Sequence, residues 1–258
     1  MPHRPRKRFS QNFLIDQSVI AEIVAAVAPR AADLMVEIGP GLGALTRPLS
    51  RAVSTLHVVE IDRDIVARLR DEFPCERLVV HEGDALEFDF VALGTPLRIV
   101  GNLPYHISTP LLFHLASCAH AIADMHVMLQ SEVVERMVAA PGGAEYGRLS
   151  VMLQYHFGME KVLDVPAEAF RPPPKVESAV VRMTPREPGS PRAGDERLFA
   201  DTVRAAFSQR RKTLRNTLGS ALSGEDFETL KIDPQARAQT LSVEDFVRIA
   251  DHRARDTP

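Results

Sequence analysis

Residues 36–43 read Val36-Glu37-Ile38-Gly39-Pro40-Gly41-Leu42-Gly43, an apolar run that leads into a glycine-rich turn. The pattern predicts a buried strand, a tight turn and the start of a helix. Glycines let the backbone approach a ligand closely, and the helix that follows offers unpaired N–H groups, so we expect a nucleotide-like ligand here. Gly39, Gly41 and Ala44 also satisfy the dinucleotide fingerprint. A NAD-dependent dehydrogenase therefore remains an alternative at this point.

Short apolar runs alternate with helical patterns on both sides of this stretch. A helix over 18–28, with Ser18 as its N-cap, is predicted first. Strands are predicted at 34–38, 56–61, 78–80, 97–100, 125–129, 162–165 and 178–183. Helices are predicted at 45–52, 65–73, 111–117, 131–139 and 148–157. This alternation is typical of a parallel α/β sheet, and it predicts seven strands.

A stretch rich in proline and glycine divides the chain near its last quarter. We predict an α/β domain over 1–184, a linker over 185–195 and an all-helical C-terminal domain over 196–258. The helices expected in the small domain cover 198–207, 213–222 and 243–250. A basic arm from His3 to Arg8 precedes the first domain, and it suits either RNA contact or a solvated tail.

Polar side chains follow the next three predicted strands in turn. Glu60 ends the second strand, where a carboxylate can accept hydrogen bonds from vicinal ribose hydroxyls. Asp84 follows the third strand in Glu82-Gly83-Asp84-Ala85 and can accept from an adenine amine. Asn102 follows the fourth strand. Because parallel strands end at one edge of a sheet, Gly39, Glu60, Asp84 and Asn102 should surround one ligand, as in a methyl-donor site.

The stretch Asn102-Leu103-Pro104-Tyr105 has the chemistry needed to activate a base amine. The lone pair of such an amine is delocalised into the ring, and two hydrogen-bond acceptors would hold the nitrogen in a more tetrahedral geometry. The side-chain oxygen of Asn102 and the backbone carbonyl of Leu103 can serve as these acceptors. Pro104 restricts the loop, and Tyr105 offers a flat face for the base. A simple polar turn after a strand would give the same four residues.

Composition limits the possible classes of protein. The chain has 258 residues, 45% of them hydrophobic and 25% charged, which is ordinary for a globular protein. A net charge of −3 gives no global basic signature, so a nucleic-acid partner must meet local basic patches. Two cysteines and nine histidines without metal-ligand spacing predict neither a disulfide framework nor a metal site. We expect a monomeric cytoplasmic protein without a membrane segment.

Taken together, these stretches resemble the small-subunit (16S) ribosomal RNA adenine dimethyltransferases, the KsgA/RsmA group of class I S-adenosylmethionine-dependent methyltransferases. The resemblance covers nearly the whole chain. It rests on residues 8–14, 36–43, 60–62 and 101–105, and also on Phe170-Arg171-Pro172-Pro173-Pro174-Lys175-Val176 and Gln209-Arg210-Arg211-Lys212-Thr213. Ser10 and His106 depart from the residues most common in the group, Gly and Asn.

The resemblance implies the fold, the reaction and the site residues. It implies a seven-stranded Rossmann-like methyltransferase sheet with a small helical C-terminal domain. The reaction would be dimethylation of two adjacent adenosines in a hairpin near the end of small-subunit rRNA, within the maturing 30S subunit. Contacts with S-adenosylmethionine are expected at Asn12, Leu14, Gly39, Gly41, Glu60, Asp84 and Asn102.

Phe170 and a basic segment are the expected RNA contacts. Phe170 would stack on the flipped base, with residues 172–174 as a rigid mount, although a lone Phe is more often a core residue. A helix over 204–216 carries Arg210, Arg211 and Lys212 without any acidic residue, and we expect it to dock on rRNA. The three consecutive residues cannot share one helical face, so one of them is expected to pair within the protein.

Three other functions fit part of this pattern. A related dimethylase could act on large-subunit rRNA, as in macrolide resistance, but residues 209–216 and the Phe170 loop favour the small-subunit group. An assembly factor whose methylation is secondary has the same sequence features. A dehydrogenase explains neither residues 102–105 nor the basic arm.

Overall fold

The computed structural model describes residues 12–255. The predicted arm from His3 to Arg8 and the departure at Ser10 lie outside the described residues. Within them the strands are β1 Phe13–Leu14, β2 Leu34–Ile38, β3 Leu56–Glu60, β4 Leu78–Glu82, β5 Leu97–Asn102, β6 Ile122–Gln130, β7 Phe157–Val165, β8 Phe170–Arg171 and β9 Ser178–Pro185.

Ten α-helices accompany these strands in the same part of the chain. They are α1 Gln17–Val27, α2 Thr46–Ala52, α3 Arg63–Glu72, α4 Ser108–Ser117, α5 Ser131–Val138, α6 Arg148–Gln154, α7 Glu196–Ala206, α8 Leu214–Leu218, α9 Gly224–Leu230 and α10 Val243–Arg255. Each predicted strand has a counterpart here, and so does each predicted helix except the one over 204–216. The prediction missed α9 and the two-residue strands β1 and β8.

A seven-stranded sheet in the order β4-β3-β2-β5-β6-β9-β7 forms the centre of the fold. The strands from β2 to β6 are parallel, whereas β9 pairs antiparallel to β6, with Val127 opposite Val181. Because β2 lies between β3 and β5, the strand order reverses at β2. Such a reversal opens a crevice at the carboxyl ends of the strands, where open α/β sheets bind their ligands.

The strand β1 pairs antiparallel with β8 outside the main sheet, in register Phe13↔Arg171 and Leu14↔Phe170. The Ile15 N–H donates to the Ala169 carbonyl at 2.8 Å, which continues this pairing by one residue. The side chains of Phe13, Leu14 and Phe170 are buried with those of α1 and the sheet. This short ladder therefore fixes the chain just before α1 against the segment before β9.

Two predicted helix boundaries need correction. Asp16, not Ser18, caps α1, because its carboxylate accepts from the N–H groups of Ser18 and Val19. The predicted helix over 204–216 is two helices, α7 and α8, separated by a turn over 207–213. In that turn the Lys212 N–H donates to the Gln209 carbonyl, so local turn hydrogen bonds replace the helical ones.

The described part of the chain divides into two compact units, one of residues 12–134 and 158–185 and the other of 135–157 and 186–255. The predicted boundary at 184 assigned 135–157 to the first of these. The difference has a packing cause: Tyr146, Val151 and Tyr155 are buried in one apolar cluster with Phe199 and Phe246. Residues 135–157 thus contribute to the core of the helical unit.

Candidate active site

A cavity of about 250 Å³ lies at the carboxyl ends of β2 to β5, inside the first unit. Every residue predicted to contact the donor and every residue of the predicted amine-binding loop lines it. These are Asn12, Leu14, Gly39, Gly41, Glu60, Asp84, Asn102, Leu103, Pro104 and Tyr105. The structure therefore brings together residues from five separate segments of the chain around one space.

The glycine-rich turn after β2 forms one wall of the cavity. Gly39, Gly41 and Gly43 have φ angles of +67°, +53° and +82°, a region that favours glycine. A Cβ atom on Gly41 would lie 3.2 Å from the Phe13 ring, and one on Gly39 would lie 3.6 Å from the Asn102 carbonyl oxygen. The three glycines therefore adopt backbone conformations that other residues disfavour, and they form a cradle in which the backbone can approach a ligand closely.

Glu60 presents a fixed carboxylate at the end of β3. Its side chain is 7% exposed, and Oε1 accepts from the N–H groups of Ile61 at 3.0 Å and Asp62 at 2.9 Å. Burial raises the pKa of this carboxyl, while the backbone N–H groups of Asp62 and Gly41 oppose the rise. The geometry suits acceptance of hydrogen bonds from a diol, as the sequence predicted for a ribose.

Asp84 lies in the turn after β4, on the same cavity. Its Oδ1 accepts from the Leu86 N–H at 2.9 Å, and its backbone carbonyl accepts from the Glu87 N–H at 3.1 Å. The turn is tied to β3 as well, because the Gly83 N–H donates to the Glu60 carbonyl. The turn that carries Asp84 is thus attached to the end of β3, where Glu60 lies.

Glu37 is a buried acid of the cavity wall that sequence reasoning did not select as a site residue. Its side chain is 2% exposed, and Oε2 has no hydrogen-bond partner among the described residues. Burial raises its pKa to about 8; the nearby Thr46 hydroxyl opposes the rise, although it falls short of hydrogen-bond geometry. The sequence did contain a signal for this residue: Glu37 is an acid within an apolar strand, just before the glycine-rich turn.

Asn102 is oriented by the segment before α1. Its Nδ2 donates to the Asn12 backbone carbonyl at 3.2 Å, so Oδ1 is the atom left to accept a hydrogen bond from a ligand. The Leu103 N–H donates to the Met128 carbonyl at 3.1 Å and ties the loop to β6. The first two residues of the loop are therefore both anchored by backbone carbonyls of other segments.

Residues 2–255 match the family "Ribosomal RNA adenine dimethylase". The chain belongs to this family. Its methyl donor is S-adenosylmethionine, and the chain is an rRNA adenine dimethyltransferase. The glycine cradle, the enclosed carboxylate of Glu60 and the turn at Asp84 fit this donor, since they offer close backbone approach and acceptors for a nucleoside.

Similar proteins align with nearly the whole length of this dimethylase. The protein named "Ribosomal RNA small subunit methyltransferase A" from Nitrosospira multiformis is 61% identical over 252 residues, covering 98% of this chain and 97% of that protein. The crystal structure of a dimethyladenosine transferase from Plasmodium falciparum has a TM-score of 0.81 at 26% identity, over 92% of this chain and 95% of the other. The crystal structure of 23S rRNA methyltransferase ErmE has a TM-score of 0.73 at 25% identity, over 94% and 99%. The predicted methyltransferase fold is confirmed.

Phe170 does not line the cavity of the dimethylase. Its side chain is 2% exposed and packs in the core cluster with Leu14, its partner in the β1–β8 ladder. Phe170 therefore presents no face to a flipped base in this structure, and the expected stacking role needs correction. Phe170 is instead a core residue, which is the alternative that the sequence analysis gave for a lone Phe.

The predicted RNA-docking residues of the dimethylase lie in the turn between α7 and α8. Arg210, Arg211 and Lys212 are exposed, and the Arg210 guanidinium donates to the Ala144 carbonyl. One of the three thus bonds within the protein, as their consecutive spacing predicted. The other two are exposed on a turn rather than on a helical face.

Residues 12–255 contain neither a metal-binding cluster nor a membrane-spanning helix. Over that range the structure shows no group of three or more His, Cys, Asp or Glu side chains placed to hold a metal ion. Over the same range none of the helices is long and apolar enough to cross a membrane.

Proposed function

We propose that this dimethylase methylates the N6 amines of two adjacent adenosines in a hairpin near the 3′ end of small-subunit rRNA, within the maturing 30S subunit. The observation that carries the proposal is the position of the Asn102–Tyr105 loop on the same cavity as the donor-binding residues. Identity of 61% to a small-subunit methyltransferase, against 25% to the 23S enzyme, supports the choice of substrate. We also propose that the protein is a cytoplasmic monomer.

The chemistry follows from the orientation of the Asn102 loop. Asn102 Oδ1 and the Leu103 carbonyl accept hydrogen bonds from the target amine and favour the geometry in which its lone pair is available. The donor supplies an electrophilic methyl group. Pro104 restricts the loop and Tyr105 supports the base by stacking. The methylated amine is a cation and loses its proton to water, so no side chain needs to act as a general base.

The donor contacts are proposed residue by residue. Glu60 accepts from the ribose hydroxyls, Asp84 accepts from the adenine amine, and Gly39 and Gly41 allow the backbone to approach the donor closely. Asn12 and Leu14 close the cavity from the side of β1. Each of these residues lies on the cavity, and this position supports the assignment.

Methyl transfer from labelled donor distinguishes the possible substrates. Naked rRNA, small subunits that lack the modification and large subunits would be compared with one enzyme preparation. We expect transfer to the small-subunit material, with two adjacent adenosines each carrying two methyl groups. Preferential labelling of large subunits would instead establish the related large-subunit activity and overturn the proposal.

Two cavity variants test the chemistry. Asn102→Ala should lower turnover by roughly 100-fold and weaken RNA binding little, because its acceptor is needed most as the amine rehybridises. Some loss of donor affinity should accompany this change. His106→Ala tests the absence of a general base, and a loss of turnover as large as that of Asn102→Ala would contradict it.

The assembly-factor alternative makes a different genetic prediction. A cell that carries the Asn102→Ala protein retains the protein but loses most methylation. If methylation is the main role, this cell should grow like one that lacks the gene. Growth like that of wild type would favour the assembly role.

A further inference from the structure

The Tyr105 hydroxyl meets a serine that no part of the proposed mechanism uses. Tyr105 Oη and Ser178 Oγ are 2.7 Å apart, a good hydroxyl–hydroxyl hydrogen bond. Tyr105 lines the cavity, whereas Ser178 does not line it and is 0% exposed. Ser178 therefore contacts the site through the tyrosine.

A second serine holds the other end of the same residue. Ser108 Oγ, at the start of α4, donates to the Tyr105 backbone carbonyl at 3.0 Å. The Ile107 N–H donates to the Pro104 carbonyl at 3.1 Å, which closes the turn around Tyr105. The backbone end and the ring end of Tyr105 are thus each fixed by a buried hydroxyl.

The position of Ser178 is set by the sheet. It is the first residue of β9 and lies opposite Gln130, the last residue of β6. The neighbouring Glu177 carbonyl accepts from the Ser131 N–H at 3.0 Å. Because β6 also accepts from the Leu103 N–H through Met128, one strand supports both the amine-binding loop and the serine that holds Tyr105.

We infer that Ser178 is a positioning residue for methyl transfer, which fixes the plane of the Tyr105 ring so that the target base stacks beside Asn102. The inference rests on the proposed function. A phenol ring without this contact can turn about its side-chain bonds and lose its alignment with the acceptor atoms. Since small misplacements at a reacting centre cost rate more than binding, the contact should act mainly on turnover.

A double-mutant cycle separates this role from a general contribution to folding. Ser178→Ala should lower turnover on rRNA about three- to tenfold, the effect expected for one hydrogen bond, and leave the affinity for S-adenosylhomocysteine unchanged. Tyr105→Phe removes the same bond from the other side. If Ser178 acts through Tyr105, adding Ser178→Ala to Tyr105→Phe should change turnover by less than about twofold. Ser50→Ala, which removes another buried hydroxyl of the same unit away from this loop, is the matched control.

NMR spectra of the tyrosines measure the contact between Tyr105 and Ser178 independently of catalysis. The chain has three tyrosines, so a protein with ¹³Cζ-labelled tyrosine gives three signals, and Tyr105→Phe identifies one of them. Burial raises the pKa of Tyr105, and the hydrogen bond with Ser178 opposes the rise. In Ser178→Ala the Tyr105 signal should therefore titrate at a higher pH than in wild type, while in Ser50→Ala it should not move.

Three results would overturn the inference. Ser178→Ala could behave like Ser50→Ala in turnover and titration, which means that the bond does not matter. The Ser178→Ala effect could persist undiminished in Tyr105→Phe, which means that the serine acts by another route. A wild-type protein that transfers no methyl group to rRNA would remove the proposed function as well, and the activity of the wild type distinguishes this case from the other two.

Discussion

Glu60 and Glu82 end adjacent strands and lie opposite one another in register, but their surroundings differ. Glu60 is buried in the wall of the cavity, whereas Glu82 forms ion pairs with Arg63 and Arg70 at the surface. Glu60→Ala should weaken S-adenosylhomocysteine binding by about 1.5–3 kcal/mol, because a charged acceptor for two hydroxyls is lost. Glu82→Ala is the matched control and should bind nearly as wild type does.

Calorimetric titration measures both variants. The titration should also show that NADH does not compete for the site, which tests the dehydrogenase alternative. Donor affinity should fall as the pH is lowered and Glu60 becomes protonated. Because burial raises the pKa of Glu60, this fall should begin at a higher pH than it would if Glu60 were exposed. Equal affinities of Glu60→Ala and Glu82→Ala would argue against the ribose contact.

Glu37 predicts an unusual dependence of stability on pH. Its pKa is raised from 4.5 to about 8 in the folded protein, so between these values the folded state holds a proton that the unfolded chain has released. Binding more protons in the folded state makes the free energy of unfolding fall as pH rises. Wild type should therefore lose stability relative to Glu37→Gln from about pH 5 to pH 8. Urea denaturation of both proteins at several pH values measures this, and parallel curves would contradict it.

The site residues that sequence reasoning found are those fixed by local pattern. Gly39, Glu60, Asp84 and Asn102 each end an apolar run, and a parallel sheet brings such ends to one edge. The position of Phe170 could not be read this way. It is buried because Leu14, more than 150 residues earlier in the chain, pairs with it, and two-residue strands leave no periodic signal.

The turn between α7 and α8 carries three consecutive basic residues that a continuous helix would have distributed around its axis. Arg210 is tied back to Ala144, while Arg211 and Lys212 are exposed. The helical prediction over 204–216 failed because the Leu214 N–H donates to the Ala236 carbonyl at 2.8 Å instead of to the preceding turn. A distant backbone partner of this kind has no local sequence signature.

We expect Arg211 and Lys212 to carry the contact with rRNA phosphates. Replacing both with Ala should weaken binding to small subunits and reduce its salt dependence by up to about one unit of slope for each lost phosphate contact. Arg204→Ala is the control, since Arg204 already pairs with Asp201 at 2.9 Å. Arg210→Ala should instead lower the melting temperature. A double variant that binds as wild type does across a salt series would place docking elsewhere, with the arm from Arg4 to Arg8 as the next candidate.

The helical unit is built from two separate parts of the chain. A protein that ends at Pro185 would keep Tyr146, Val151 and Tyr155 but lose Phe199 and Phe246, with which they are buried. Exposing such aromatic and aliphatic side chains costs about 1.5–3 kcal/mol each. We expect this truncated protein to bind a hydrophobic dye and to be cleaved by protease within 135–157.

The full chain is the comparison for this truncation. Its segment 135–157 should resist the same protease dose, because these residues are part of a packed core. Equal resistance in the truncated protein would show that 135–157 fold with the α/β unit alone, as the boundary predicted at 184 implied.

The two segments of the helical unit are also synthesised at different times. During synthesis, residues 135–157 leave the ribosome long before α10, whose Phe246 and Val247 complete their cluster. At about 5–20 residues per second, the roughly 100 residues in between take about 5–20 s to make. Throughout that interval Tyr146 and Tyr155 are exposed apolar groups on a nascent chain. We therefore expect a chaperone that recognises aromatic side chains to bind this segment while the enzyme is still being made.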